Sequence, residues 1–85
     1  MFFVYVLSNS AGRHYTGSTA DLVERIRQHN EGLTRSTKGR GPWTLLYREQ
    51  FATRSEAIHR EKFLKTGKGR EELESILQAR SSNVG

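Results

Sequence analysis

The sequence predicts an α+β domain of three strands and three helices in the order β-β-α-β-α-α, with one sheet packed on the helices. Three observations carry that prediction. An aromatic and β-branched run, Phe2-Phe3-Val4-Tyr5-Val6-Leu7, reads as a buried strand. Two capping signals, Ser18-Thr19-Ala20-Asp21 and Thr53-Arg54-Ser55-Glu56, each precede apolar residues at helical spacing. The 85 residues amount to one domain, in which few side chains can be fully enclosed, so the core must come from one sheet and a few helices.

The elements follow in order. Residues 2–7 are expected to be buried on both faces. Ser8-Asn9-Ser10-Ala11-Gly12 is dense in turn formers, so residues 13–18 form a second strand that folds back as a hairpin. The capping signal at residues 18–21 opens a helix that runs to about Asn30, where Gly32 is placed to end it. Its apolar stripe is Leu22, Val23 and Ile26, with Glu24 and Gln28 pointing away. Residues 33–41 hold no periodicity and read as a loop, Pro42 punctuates it, and residues 43–51 form a third strand. The capping box at residues 53–56 opens a second helix to about Thr66, and Gly67-Lys68-Gly69 interrupts it. Residues 70–79 form a third helix with Leu73, Ile76 and Leu77 at helical spacing. A single domain over residues 1–80 is expected, with residues 81–85 a disordered tail.

Fourteen Lys and Arg against nine Asp and Glu give a formal net charge of +5, the balance expected of a polyanion binder, nucleic acid above all. A solubilising surface charge gives the same number. No cysteine is present, which removes disulfides, cysteine metal sites and thiol chemistry and fits a reducing, cytoplasmic setting. The longest apolar run, residues 1–7, is too short to span a bilayer and lacks the flanks of a signal peptide, so no membrane partner is expected.

Three sets of residues could carry chemistry. On the second helix Ala57, Ile58 and Leu64 share a face, and Glu61 falls near its centre. A buried carboxylate needs a partner. Lys65, one turn on, would make Glu61 structural; a divalent metal ion would make it functional. On the first helix Arg25 and His29 stand four apart, one above the other, where they could converge on a cleft over the sheet or simply face solvent. Tyr5 and Tyr15, on adjacent strands, could present two phenols to one face or pack in the core. A free phenol titrates near pH 10, so tyrosine acid–base chemistry needs a metal-bound water or a nearby cation. Two basic, glycine-containing segments, Thr37-Lys38-Gly39-Arg40 and Gly67-Lys68-Gly69-Arg70, could meet phosphates or be ordinary turns. Their Lys38, Arg40, Lys68 and Arg70, with Lys65 just before the second, are the candidate nucleic-acid contacts. Competing constellations are absent: the second segment lacks the P-loop's upstream Gly and following Ser or Thr, His14, His29 and His59 have no zinc spacing, and no nucleophile elbow occurs.

These groups stand in the order and spacing of the GIY-YIG nuclease superfamily, which the chain resembles over residues 2–77. Phe3-Val4-Tyr5 stands where the family has Gly-Ile-Tyr, and Tyr15-Thr16-Gly17 where it has Tyr-Ile-Gly. Arg25, His29 and Glu61 match the family's helix Arg, its following His or Tyr and its metal-binding Glu. Glu56-Ala57, Arg60-Glu61 and Lys65 repeat the helix pattern of small stand-alone bacterial proteins similar to the GIY-YIG nuclease domain of the excinuclease. Two positions depart from the pattern: Phe3 replaces Gly, and no Asn follows the metal Glu near residues 70–77. The resemblance implies a three-stranded antiparallel sheet flanked by about three helices. It also implies a phosphodiesterase acting on DNA with one Mg²⁺ or Mn²⁺ held by Glu61, linked to DNA repair or recombination. Arg25 would neutralise charge on the scissile phosphate, Tyr15 or Tyr5 would orient or deprotonate the attacking water, and His29 would assist. A chain this short, in a family that takes specificity from added domains, implies recognition by its own loops or a protein partner for targeting. The alternative is a non-catalytic nucleic-acid-binding module on the same scaffold.

Overall fold

A computed structural model describes residues 1–82 of the chain. The elements are β1 (Phe2–Ser8), β2 (His14–Thr19), α1 (Leu22–Asn30), β3 (Thr44–Phe51), α2 (Arg54–Leu64) and α3 (Gly67–Ser82). The strands form one antiparallel sheet in the order β2-β1-β3, so the α+β class and the element order stand as the sequence predicts.

The all-apolar run of β1 makes it the central strand: Val4, Tyr5, Val6 and Leu7 are wholly buried. Side chains alternate across a strand, and each face of β1 meets a different partner. Val4 and Val6 pack with Ala57, Leu64 and Leu73 from α2 and α3. Tyr5 and Leu7 pack with Leu22 of α1 and with Trp43. The register pairs Tyr5 with Gly17 and Leu7 with Tyr15, which places both tyrosines on the α1 side of the sheet.

Four expectations need correction. The cap of α1 is Asp21 rather than Ser18, because Ser18 is still paired to Val4 in β2; the Asp21 carboxylate accepts from the Glu24 N–H at 3.1 Å. Val23 is 82 % exposed and does not belong to the inward stripe. That stripe is Leu22, Arg25, Ile26 and His29, spaced i, i+3, i+4 and i+7, so two of its four members are polar. Gly67-Lys68-Gly69 is the first turn of α3 rather than a break: the Thr66 hydroxyl accepts from the Gly69 N–H at 3.1 Å, an N-cap the glycines hid. Finally, α3 runs through Ser82 rather than to about residue 79; of the tail expected at residues 81–85, residues 83–85 lie outside the described residues. Among the described residues no helix is long and apolar enough to cross a membrane.

Candidate active site at the free edge of the sheet

The two tyrosines, the arginine and the histidine come together between β1, β2 and α1. The Tyr5 ring lies across Gly17; a Cβ at that position would sit 2.5 Å from the phenol oxygen, so the glycine is what lets the ring lie flat on β2. The phenol oxygen is 2.8 Å from His29 Nε2, and His29 Nδ1 is 2.7 Å from the Thr37 hydroxyl. Thr37 has the Thr34 carbonyl oxygen at 3.4 Å to donate to. That direction leaves Thr37 to accept from Nδ1–H and leaves Nε2 to accept the Tyr5 proton. Tyr15 stacks obliquely on His29 with ring centroids 4.8 Å apart, and lies 6.3 Å from Tyr5.

The electrostatics of these groups follow from burial. Burial pushes the Tyr5 phenol up to about 12, aided by Tyr15 and the Glu61 charge and opposed by the Arg25 guanidinium beside it. Tyr5 is therefore a hydrogen-bond donor at neutral pH, not a phenolate. Burial, then the Arg25 charge, hold His29 below its ordinary value, so its imidazole is neutral. Arg25 gives Nη1 to the Gln28 side chain at 3.1 Å, while its buried Nε has no partner. A guanidinium seated beside the Tyr5 phenol and the His29 imidazole, with one N–H unsatisfied, is a group that an anion could complete.

A pH prediction follows. The unfolded chain takes up a proton at an imidazole near pH 6.5 that the folded chain resists at His29. The folded state's contribution from neutral His29 is thus whole above about pH 6.5 and is lost as pH falls toward the lower folded value. The thermal midpoint is expected to drop between pH 7.5 and 5.5 in the wild type, and to drop less in His29→Gln. Glu49 and Glu61, whose carboxyls are held below the usual range, lose their contributions only at more acid pH. Equal pH slopes in the two proteins would contradict the assignment.

Glu61 approaches from the other side. Its side chain, 20 % exposed, lies at the margin of the α2 face and not in the core centre. Ser18 donates to Oε1 at 2.6 Å and Lys65 Nζ donates to Oε2 at 2.7 Å. Burial raises the carboxyl, but these two bonds and the nearby lysines outweigh it and hold the group ionised. Ser18 pairs with Val4 and shares its face, so Glu61 reaches β2 from the α2 side while the tyrosines hang from the α1 side. The two half-sites meet at the unpaired edge of β2, where Lys65 Nζ lies 5.8 Å from the Tyr15 ring centroid. Of the two readings of Glu61 raised by the sequence, the ion pair with Lys65 is present.

A cleft of about 630 Å³ opens beside this edge. Arg40, Lys65 and Arg70 of the predicted phosphate contacts line it, together with Arg13; Lys38 and Lys68 do not. The loop at residues 33–41 is tied down at its C-terminal end. Asn30 brackets Trp43, accepting from its N–H at 2.6 Å and donating to its carbonyl at 3.1 Å, and Asn9 donates to the Arg40 carbonyl at 2.9 Å. Ser18 and Thr37 escaped the sequence reading. Each is one hydroxyl among many, and nothing local marks the partners they meet 43 and 8 residues away.

Among the described residues no three His, Cys, Asp or Glu side chains gather into a metal site. Glu61 alone is a hard, ionised oxygen donor of the kind Mg²⁺ and Mn²⁺ take, and such ions commonly use one or two carboxylates with substrate phosphate and water. The donor chemistry fits one weakly held ion.

Comparison with known proteins bears on the family and the fold. The family model of the GIY-YIG catalytic domain matches residues 1–74. A UPF0213 protein of Halobacterium salinarum is 45 % identical over 62 residues, covering 72 % of this chain and 80 % of that protein. A UPF0213 protein of Staphylococcus aureus is 43 % identical over 65 residues, covering 75 % and 79 %. The solution NMR structure of a UPF0213 protein from Bacillus halodurans is similar at 35 % identity with a TM-score of 0.55, over 89 % of this chain and 85 % of that one.

Proposed function

The chain belongs to the GIY-YIG family, and from that premise we propose that it is a divalent-metal-dependent endonuclease that hydrolyses phosphodiester bonds in DNA. The observation that carries the reading is the convergence of five groups on the β2 edge: Tyr5, Tyr15, Arg25 and His29 from one face and Glu61 from the other. A purely binding module gains nothing from keeping a neutral His29–Tyr5 pair dry beside the Arg25 guanidinium.

The roles follow from position. Arg25, whose charge stands beside Tyr5 and His29, would hold the scissile phosphate and offset charge that develops on it. Glu61 would hold one Mg²⁺ or Mn²⁺, which when bound supplies Lewis-acid stabilisation of the phosphate and the leaving oxygen. Tyr15, half-buried and lining the cleft, is better placed than Tyr5 to orient the attacking water. Tyr5, wholly buried with its proton committed to His29, positions rather than deprotonates. Arg13, Arg40 and Arg70 would contact flanking phosphates, with Lys38 and Lys68 farther out.

The Lys65–Glu61 ion pair favours the rival reading, a nucleic-acid-binding module in which Glu61 is structural. The two part on one experiment. Plasmid, branched, abasic and single-stranded DNA incubated with Mn²⁺ or Mg²⁺ should be nicked, and affinity measured without metal should fall steeply with salt. Binding with that salt dependence but no cleavage of any form by any divalent ion would establish the binder.

A further inference from the structure

Lys65 holds a position that neither a structural salt bridge nor a phosphate contact fully explains. It follows α2 directly as its C-cap, where the helix's unpaired carbonyls favour a cation. Its ammonium takes Glu61 Oε2 at 2.7 Å while Ser18 takes Oε1, so each carboxylate oxygen already has one donor. The same ammonium stands near the Tyr15 ring and lines the cleft. The other charged walls of that cleft are Arg13, Arg40 and Arg70 against Glu74. A free divalent cation approaching Glu61 therefore meets a cation already seated there, and that cation also forms part of the cationic rim of the neighbouring cleft. A nucleic-acid backbone reverses both terms. Its phosphates neutralise the rim, offer Lys65 a new anionic partner, and bring oxygens that complete the coordination Glu61 cannot supply alone.

We propose that Lys65 is a resident cation that holds Glu61 against free divalent ions and passes to a backbone phosphate when nucleic acid binds, so that metal uptake is coupled to substrate. The lysine side chain is 47 % exposed. An ion pair with its cation this open to solvent is weak, as a handover requires. The inference rests on the reading of Glu61 as the metal ligand.

The test uses the intact protein and Mn²⁺ alone, with free Mn²⁺ followed by electron paramagnetic resonance and folding checked by thermal melting. Lys65→Met should bind Mn²⁺ at least about tenfold more tightly than wild type, or about 1.4 kcal/mol. Lys65→Arg, which keeps the charge, should stay near wild type, and Glu61→Gln should lose the site. In EDTA, Lys65→Met should bind DNA with a salt slope lower by about one phosphate contact. Wild-type Mn²⁺ affinity in Lys65→Met, or an unchanged salt slope, overturns the coupling. If Glu61→Gln has meanwhile lost the ion, the Glu61 assignment stands; if Mn²⁺ binding survives Glu61→Gln, both fall.

Discussion

Glu61→Gln should give a folded protein that binds DNA with undiminished affinity and nicks it at least about a hundred- to a thousandfold more slowly, the range lost when one transition-state electrostatic contact is removed. Glutamine is the informative replacement. It has the same shape, and its amide oxygen can still accept from Ser18, whose hydroxyl lies 2.6 Å from Oε1 in the wild type. What it lacks is the charge, and with it the ability to hold a divalent ion. The stability cost should be small, under about 1 kcal/mol, because the lost partner is a half-exposed lysine at the end of a helix. Single-turnover nicking with Mn²⁺, beside a melting curve and a binding isotherm, measures all three quantities. Nicking at the wild-type rate would remove Glu61 from the chemistry, whatever the family implies.

The same carboxylate shows how far a sequence can be read. Its placement near an apolar face follows from 100° periodicity between Ala57 and Leu64, and that inference survives with one adjustment, since Glu61 sits at the margin and not the centre. The strands were legible because β1 is an apolar run from Phe2 to Leu7, and a strand buried on both faces leaves that mark in any sequence. On α1, hydrophobic periodicity selected Val23 and placed Arg25 and His29 on the flank. The real stripe contains both polar residues, because His29 bonds Tyr5 and Thr37 and Arg25 bonds Gln28 beside them. A pattern that sorts residues by hydrophobicity cannot see a polar group turned inward. Ser18 and Thr37 were invisible for a different reason: their partners are distant in sequence, and only the register of β1 with β2 and the seating of the loop on α1 bring them together.

The reading of Gly67-Lys68-Gly69 as a break failed on a matter of energies, and the failure yields the largest stability effect expected of any single substitution here. Glycine costs a helix roughly 0.5–1 kcal/mol relative to alanine, so two in the first turn argue against a helix when propensity alone is weighed. Here contact outweighs propensity. A Cβ built on Gly69 would overlap the Phe63 carbonyl oxygen and lie 2.6 Å from the Leu64 Cα, both backbone atoms of α2 that no rotamer change can move. Gly69 is thus the point at which α3 packs against the end of α2. The seating matters because Leu64 and Leu73, on either side of it, close the core beneath Val4 and Val6. Gly69→Ala, conservative by composition and helix-favouring by propensity, should therefore destabilise the domain by at least about 3 kcal/mol, the upper part of the range for forcing atoms into a packed interior. For a domain of this size that lowers the thermal midpoint by at least about 12 °C. Gly67, whose added Cβ would meet nothing within 4 Å, is the control: its alanine variant should keep or slightly raise the midpoint. Thermal melting of the two proteins side by side checks the claim, and equal midpoints would mean that α3 does not sit against Phe63 as described.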